Sequence, residues 1–222
     1  MTTQAELFAD ARKHMVDSQV RPNRVTDPGI LSAMRRLPRE RFVTANVLAL
    51  AYADEDVPLG KGRYLMEPMV LARMLQAVLP RENERALVVG SATGYGAAVL
   101  AACGCRVVAL EDDPALIAIA NSVLPEVAPS VSVVAGPLAA GWAANAPYDL
   151  ILIEGAVDSV PSALAEQLHQ EQGRLVGALT RPGQATRAIL AEATGAGLGV
   201  TPIFDCGTPV LPSLRKTPVF EF

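Results

Sequence analysis

The chain has 222 residues and a formal net charge of −4. That length suits one α/β domain with a full core, and the acid excess argues against a nucleic-acid binder that works by neutralising phosphates. Half of the residues are hydrophobic and only 5% are aromatic, so the core is mainly Ala, Val and Leu, as in a parallel sheet buried on both faces.

No apolar run reaches the ~20 residues that span a bilayer. The opening MTTQAELFADARKH is polar and mixed in charge, unlike a signal peptide. The three cysteines are odd in number, and Cys103 and Cys105 lie too close together for an ordinary disulfide scaffold. Reduced thiols in the cytoplasm are the expectation. With His14 and His169 the only histidines, and no cysteine spacing that suits zinc, no metal site is expected.

In chain order, Leu7, Ala11, Met15 and Val16 recur at helical spacing within residues 4–21. After a loop at 21–24, Asp27 followed by Pro28 is a helix start, a capping acid before a proline at the first helical position. Ile30, Leu31, Ala33, Met34 and Leu37 give this helix an apolar face, and it stops before Pro38. Residues 39–43 read as a further helical piece over one edge of the sheet. Glu67 and Pro68 open the next helix, 69–79, whose apolar residues nearly surround it and so bury it.

The organising unit is residues 85–111. An apolar run, 86–89, breaks into the small-residue turn Gly90-Ser91-Ala92-Thr93-Gly94. An alanine-rich helical segment follows, and a second apolar run from Arg106 ends on Glu111. This reads as strand, helix, parallel strand. Open α/β sheets bind ligands at the carboxyl ends of their strands, here at the turn. Glycine lets a ligand approach the backbone. A carboxylate accepts two hydrogen bonds, so Glu111 suits a pair of ribose hydroxyls.

The dinucleotide pattern G-x-G-x-x-G would need glycines at 92 and 95, where the chain has Ala92 and Tyr95. The spacing G-x-A-x-G is closer to the turn of S-adenosylmethionine methyltransferases. A tight turn with no ligand is the plainer alternative. Downstream, Asp113 and Pro114 cap a helix over 115–124. Segments 131–134, 148–154 and 173–179 read as strands, and 162–170 as a helix. Pro137 and Leu138 follow the third core strand, and Glu154 closes the fourth. Segments 186–192, 200–205 and 219–222 have strand character and are separated by Gly and Pro, which suggests antiparallel additions to the sheet edge.

Several of these stretches resemble one family. MVDSQV, DPGILSAMRRLPRERFV and AYADEDVPLGKG are similar to the N-terminal region of protein-L-isoaspartate O-methyltransferases, which read MV..Q, D..VL.AM..VPRE.FV and AY.D..LPIG.G. The similarity continues through GSATGYGAAVLA, APYDLILIEGA and LAEQLHQEQGRLVG, over roughly residues 15–190. It implies a Rossmann-like class I methyltransferase, an α/β fold. Its sheet is mostly parallel and doubly wound, with antiparallel C-terminal edge strands and N-terminal helices. One domain would span 1–222, with a helical cover at 1–80, a nucleotide-binding core at 81–180 and C-terminal strands at 181–222. The implied reaction is methyl transfer from S-adenosylmethionine to the free carboxylate of an isoaspartyl residue in a damaged protein or peptide. That carboxylate is ionised at pH 7, so the site must supply alignment and exclude water rather than build an acid–base triad.

In the resemblance, Gly90, Gly94 and Glu111 match the family's cofactor positions. Ser91, Ala92 and Asp112 lie beside them, and Pro137, Leu138 and Glu154 border the same cleft. Val88 stands for a family acid, Ala92 for a glycine, and Pro137 for the acid beside the adenine. Losing one acceptor there is worth roughly 0.5–1.5 kcal/mol, and Glu154 is a candidate substitute. At the substrate end, the family's G-Q-T-I-S-Q-P is Gly62-Arg63-Tyr64-Leu65-Met66-Glu67-Pro68. The serine that helps hold the isoaspartyl carboxylate is replaced by Met66, which has no donor. Arg63 offers a guanidinium fork and Tyr64 a hydroxyl. The alternative is an apolar plug, with Arg63 paired to a surface acid. These departures keep two rivals open: a non-catalytic relative that binds the cofactor or a partner, and a small-molecule methyltransferase with an apolar pocket. A nicotinamide dehydrogenase is disfavoured by Tyr95.

Overall fold

A computed structural model describes residues 3–194 and 197–215; the strand expected at 219–222 lies outside the described residues. Helix α1, Gln4–Met15, opens on a capping box in which Thr3 and Glu6 satisfy each other's backbone amides. The helical run expected over 4–21 continues as a π-helical turn, Val16–Val20, and a 3-10 turn, Arg21–Asn23. Helix α2, Pro28–Arg36, begins as expected, with the Asp27 side chain accepting from the Ile30 amide at 2.9 Å. Leu37, ahead of Pro38, is extended, because proline disfavours the helical region for the residue before it. Residues Arg39–Phe42 form a 3-10 turn.

A two-stranded antiparallel hairpin follows, β1 at Val57–Gly60 and β2 at Arg63–Leu65. The sequence has no clear strand signal there. Helix α3, Pro68–Val78, ends where Leu79 turns left-handed. Then come β3, Arg85–Val89; α4, Tyr95–Ala102; β4, Arg106–Glu111; α5, Pro114–Val127; β5, Ser132–Ala135; β6, Leu150–Val157; α6, Ser162–Glu166; β7, Arg174–Leu179; β8, Arg187–Thr194; and β9, Gly197–Asp205. Helix α6 is shorter than the expected 162–170. Just past its end, the Gln167 side chain bonds the Ala140 carbonyl and the Trp142 amide, and the His169 amide bonds the Tyr148 carbonyl.

The main sheet runs β5-β4-β3-β6-β7-β8-β9. Its first five strands are parallel, and β8 and β9 add antiparallel at the edge. Alternate residues of β3 divide between two cores: Ala86 and Val88 face α3, α4 and the N-terminal helices, whereas Leu87 and Val89 face the core that holds Leu138, Leu164 and Leu211. All eight residues of β6 are buried. The strand order reverses between β3 and β6, so a crevice forms where their carboxyl ends diverge, which is the usual ligand position in such sheets.

Candidate functional site

The crevice is built first from the turn after β3. The Gly90 and Ser91 amides both donate to the Leu110 carbonyl of β4, at 3.0 and 3.1 Å. Gly90 and Gly94 have positive φ, and Ala92 joins them at +50°, a region that suits glycine and strains alanine. At Gly94 a Cβ would also stand 2.8 Å from Leu124 Cδ1, so the Leu124 side chain would have to move. Glu111, wholly buried at the end of β4, accepts from the amides of Ala92, Asp112 and Asp113 at 2.7, 2.9 and 3.0 Å. Asp113 caps α5 through the Ala115 amide and pairs with Lys61 at 3.0 Å.

The side chains that close the crevice come from elsewhere. Arg63, on β2, reaches across with both guanidinium nitrogens on Glu111, its Nη2 lying 2.8 Å from Oε2. The same nitrogens reach Asp112 Oδ1 at 3.2 Å and the Gly90 carbonyl at 3.1 Å. Arg63 therefore clamps a carboxylate, but that carboxylate is the chain's own and is buried rather than at the surface. From the other side, residues after β9 fold back along β6. The Ala156 amide donates to the Pro209 carbonyl at 2.8 Å, and the Leu211 amide to the Ala156 carbonyl at 2.9 Å. The Leu211 side chain then covers Gly90 and Gly155, where a Cβ would meet it at 3.0 and 2.5 Å.

Glu154 lies buried against the first turn of α4, so close that a Cβ on Gly96 would stand 2.2 Å from its Oε1. Burial pushes its pKa up to about 8, although Arg39 and Arg63 pull it down. Met66 and Tyr64 line the same small cavity as Glu154 and Thr208, of about 10 Å³, little more than the space one water requires. Pro137 is exposed, and Leu138 is buried in the core shared with Leu211. A cavity of about 710 Å³ lies between α6 and the adjoining ends of β8 and β9, lined by Glu166, Thr194 and Leu198, away from the crevice.

Two contributors escaped the sequence reading. Arg39 is wholly buried and donates to the carbonyls of Ala51 and Met66 at 2.7 and 2.8 Å. It lies in the PRE triplet of the family pattern, but nothing local names its partners. Leu211 lies in the stretch that resembles the family least, and only the folded chain brings it to the crevice.

A sequence profile described as protein-L-isoaspartate(D-aspartate) O-methyltransferase matches residues 10–194. The chain belongs to that family. A protein-L-isoaspartate O-methyltransferase of Methylorubrum populi is 41% identical over 176 residues, which is 79% of this chain and 82% of the relative. One from Koribacter versatilis is 36% identical over 90% of this chain and 89% of its own. Among solved structures, a protein-L-isoaspartate O-methyltransferase superposes with a TM-score of 0.81 at 23% identity, covering 92% of this chain and 67% of its own. A Plasmodium falciparum protein assigned to the same activity, in complex with S-adenosyl-L-homocysteine, gives 0.79 at 16% identity, covering 91% and 98%. These two likenesses establish the class I methyltransferase fold.

The cofactor of the protein-L-isoaspartate O-methyltransferase family is S-adenosylmethionine. The sequence expects the turn, Glu111 and the strand ends to hold it, but the crevice as folded leaves no room there. Both oxygens of Glu111 are held by Arg63, and Leu211 stands over Gly90 and Gly155. Among the described residues, no group of three His, Cys, Asp or Glu side chains could hold a metal. No helix among them is long and apolar enough to cross a membrane.

Proposed function

We propose that this protein methylates a carboxylate with S-adenosylmethionine, the acceptor being the isoaspartyl residue of a damaged protein or peptide in the cytoplasm. The observation that carries the reading is the family match over residues 10–194, with Glu111 at the end of β4, where the resemblance expects a cofactor residue. Three backbone amides orient Glu111, and the mostly parallel sheet supports its strand on both sides. An ionised acceptor needs no general base. Met66 and Tyr64 are the substrate-facing candidates beside Glu154.

The test is transfer of labelled methyl from S-adenosylmethionine to an isoaspartyl peptide, with the aspartyl isomer as control. Label that alkali releases as methanol is expected on the isoaspartyl peptide alone. Met66→Ser restores a donor at the acceptor end and should raise kcat/KM about tenfold, the equivalent of one added hydrogen bond. Absence of transfer by both proteins would end this reading. A second reading, a non-catalytic relative, draws on one observation, the capture of Glu111 by Arg63. It requires that no variant transfer methyl.

A further inference from the structure

We propose that Arg63 and Leu211 form a two-part latch that holds the crevice shut, and that an adenosyl ligand enters only by displacing both. The inference rests on the methyltransferase reading above. Its chemical basis is competition for Glu111. A carboxylate offers about four lone-pair sites. Five donors, two guanidinium nitrogens and the amides of Ala92, Asp112 and Asp113, already fill them, three on Oε1 and two on Oε2. A ribose diol bonds a carboxylate through the same oxygens, so it and Arg63 exclude each other. On displacement the diol replaces the guanidinium donors, and Glu111 is not left unpaired.

Leu211 is the second half. It covers Gly90 and Gly155, the backbone at the ends of β3 and β6, where a ligand in the crevice must lie. Among the described residues its own segment is held to β6 by two backbone bonds, both to Ala156. Arg63 is carried on the β1–β2 hairpin, whose Val57 and Leu65 are anchored in the main core. The β1–β2 hairpin has two strands, an arrangement marginal without further support. Its tip, with positive φ at Gly60, Lys61 and Gly62, is fastened to the β4–α5 loop by the pairs Lys61–Asp113 and Arg63–Asp112.

The closed form also leaves polar atoms unsatisfied at the crevice. Arg63 Nε, Ser91 Oγ, Glu154 Oε2 and Thr208 Oγ1 are buried without a hydrogen-bond partner among the described residues. Natural interiors rarely tolerate such a cluster. An opened crevice would return these atoms to solvent or to a ligand.

The experiment is calorimetric titration of S-adenosyl-L-homocysteine into the full chain and into Arg63→Met, Leu211→Ala and the double variant, each first shown to melt cooperatively. The latch predicts at least tenfold tighter binding for each single variant than for the unaltered chain, and tighter binding still for the double variant. Leu211→Ala keeps the test in force if loss of the Arg63–Glu111 pair prevents folding. Equal affinity in all four proteins would overturn the latch and leave the methyltransferase reading standing. Absence of binding in every one would overturn both.

Discussion

Ala92 holds the central position of the turn with φ at +50°, where an L residue other than glycine is strained. Its amide is nonetheless used, donating to Glu111 at 2.7 Å. The strain is therefore offset by a buried charge-assisted bond. Ala92→Gly removes the methyl without moving the amide. It should raise stability by roughly 1 kcal/mol, a rise in melting temperature of about 2–4 °C for a chain of this size. An unchanged or lower melting temperature would mean that the packing of the methyl outweighs the backbone strain. Arg39 shows the opposite case, a strained charge rather than a strained backbone. Burial lowers its pKa, while it stacks 4.9 Å over the Tyr95 ring and ties Ala51 and Met66 together on either side of the hairpin.

Among the elements, the returning segment after β9 leans on one neighbour, β6. Its backbone joins β6 at Ala156, and its side chain needs the bare Cα of Gly155. Gly155→Ala puts a methyl within 2.5 Å of Leu211 Cγ, so either the segment or β6 must shift. The lightly held segment should yield. Hydrogen exchange at the Ala156 and Leu211 amides is expected to quicken at least tenfold, with Ile151 near the start of β6 unaffected. Uniform loss of protection along β6 would instead show that the segment is an integral part of the sheet. The N-terminal helices behave differently. They pack on α3 and α4 through one continuous apolar core and so fold with the sheet.

For the molecule as a whole, Glu154 couples stability to pH. Its folded pKa, about 8, stands above its ordinary value of 4.5, with burial the dominant cause. Arg39 and Arg63 oppose that rise and Glu111 adds to it. Below the lower value both folded and unfolded chains hold the proton, and the protein is at its most stable with respect to this group. As pH rises from 4.5 to 8 the unfolded chain loses the proton and the folded chain keeps it, so stability falls and then levels off. Glu154→Gln keeps the shape and removes the titration. Its melting temperature should vary less between pH 5 and pH 8 than that of the unaltered chain, and should exceed it at pH 8. Parallel curves for the two proteins would place the pH dependence on another group.

The fold was largely legible because its signals are local. Hydrophobic period, the caps at Asp27 and Asp113, and the glycines of the turn each act within a few residues, and the strands and helices they mark lie within a few residues of where they were expected. The position of Glu111 followed in the same way, from the length of one strand–helix–strand unit. The state of the crevice was not legible. It depends on Arg63 meeting Glu111 across 48 positions and on Leu211 meeting Gly90 and Gly155 from beyond the last strand. Contacts at such separations leave no periodic trace, since any arginine or leucine carries the same local propensity wherever its partner lies. Family, fold and cradle thus reside in short-range pattern, whereas whether the cradle stands open or shut is decided by long-range packing alone.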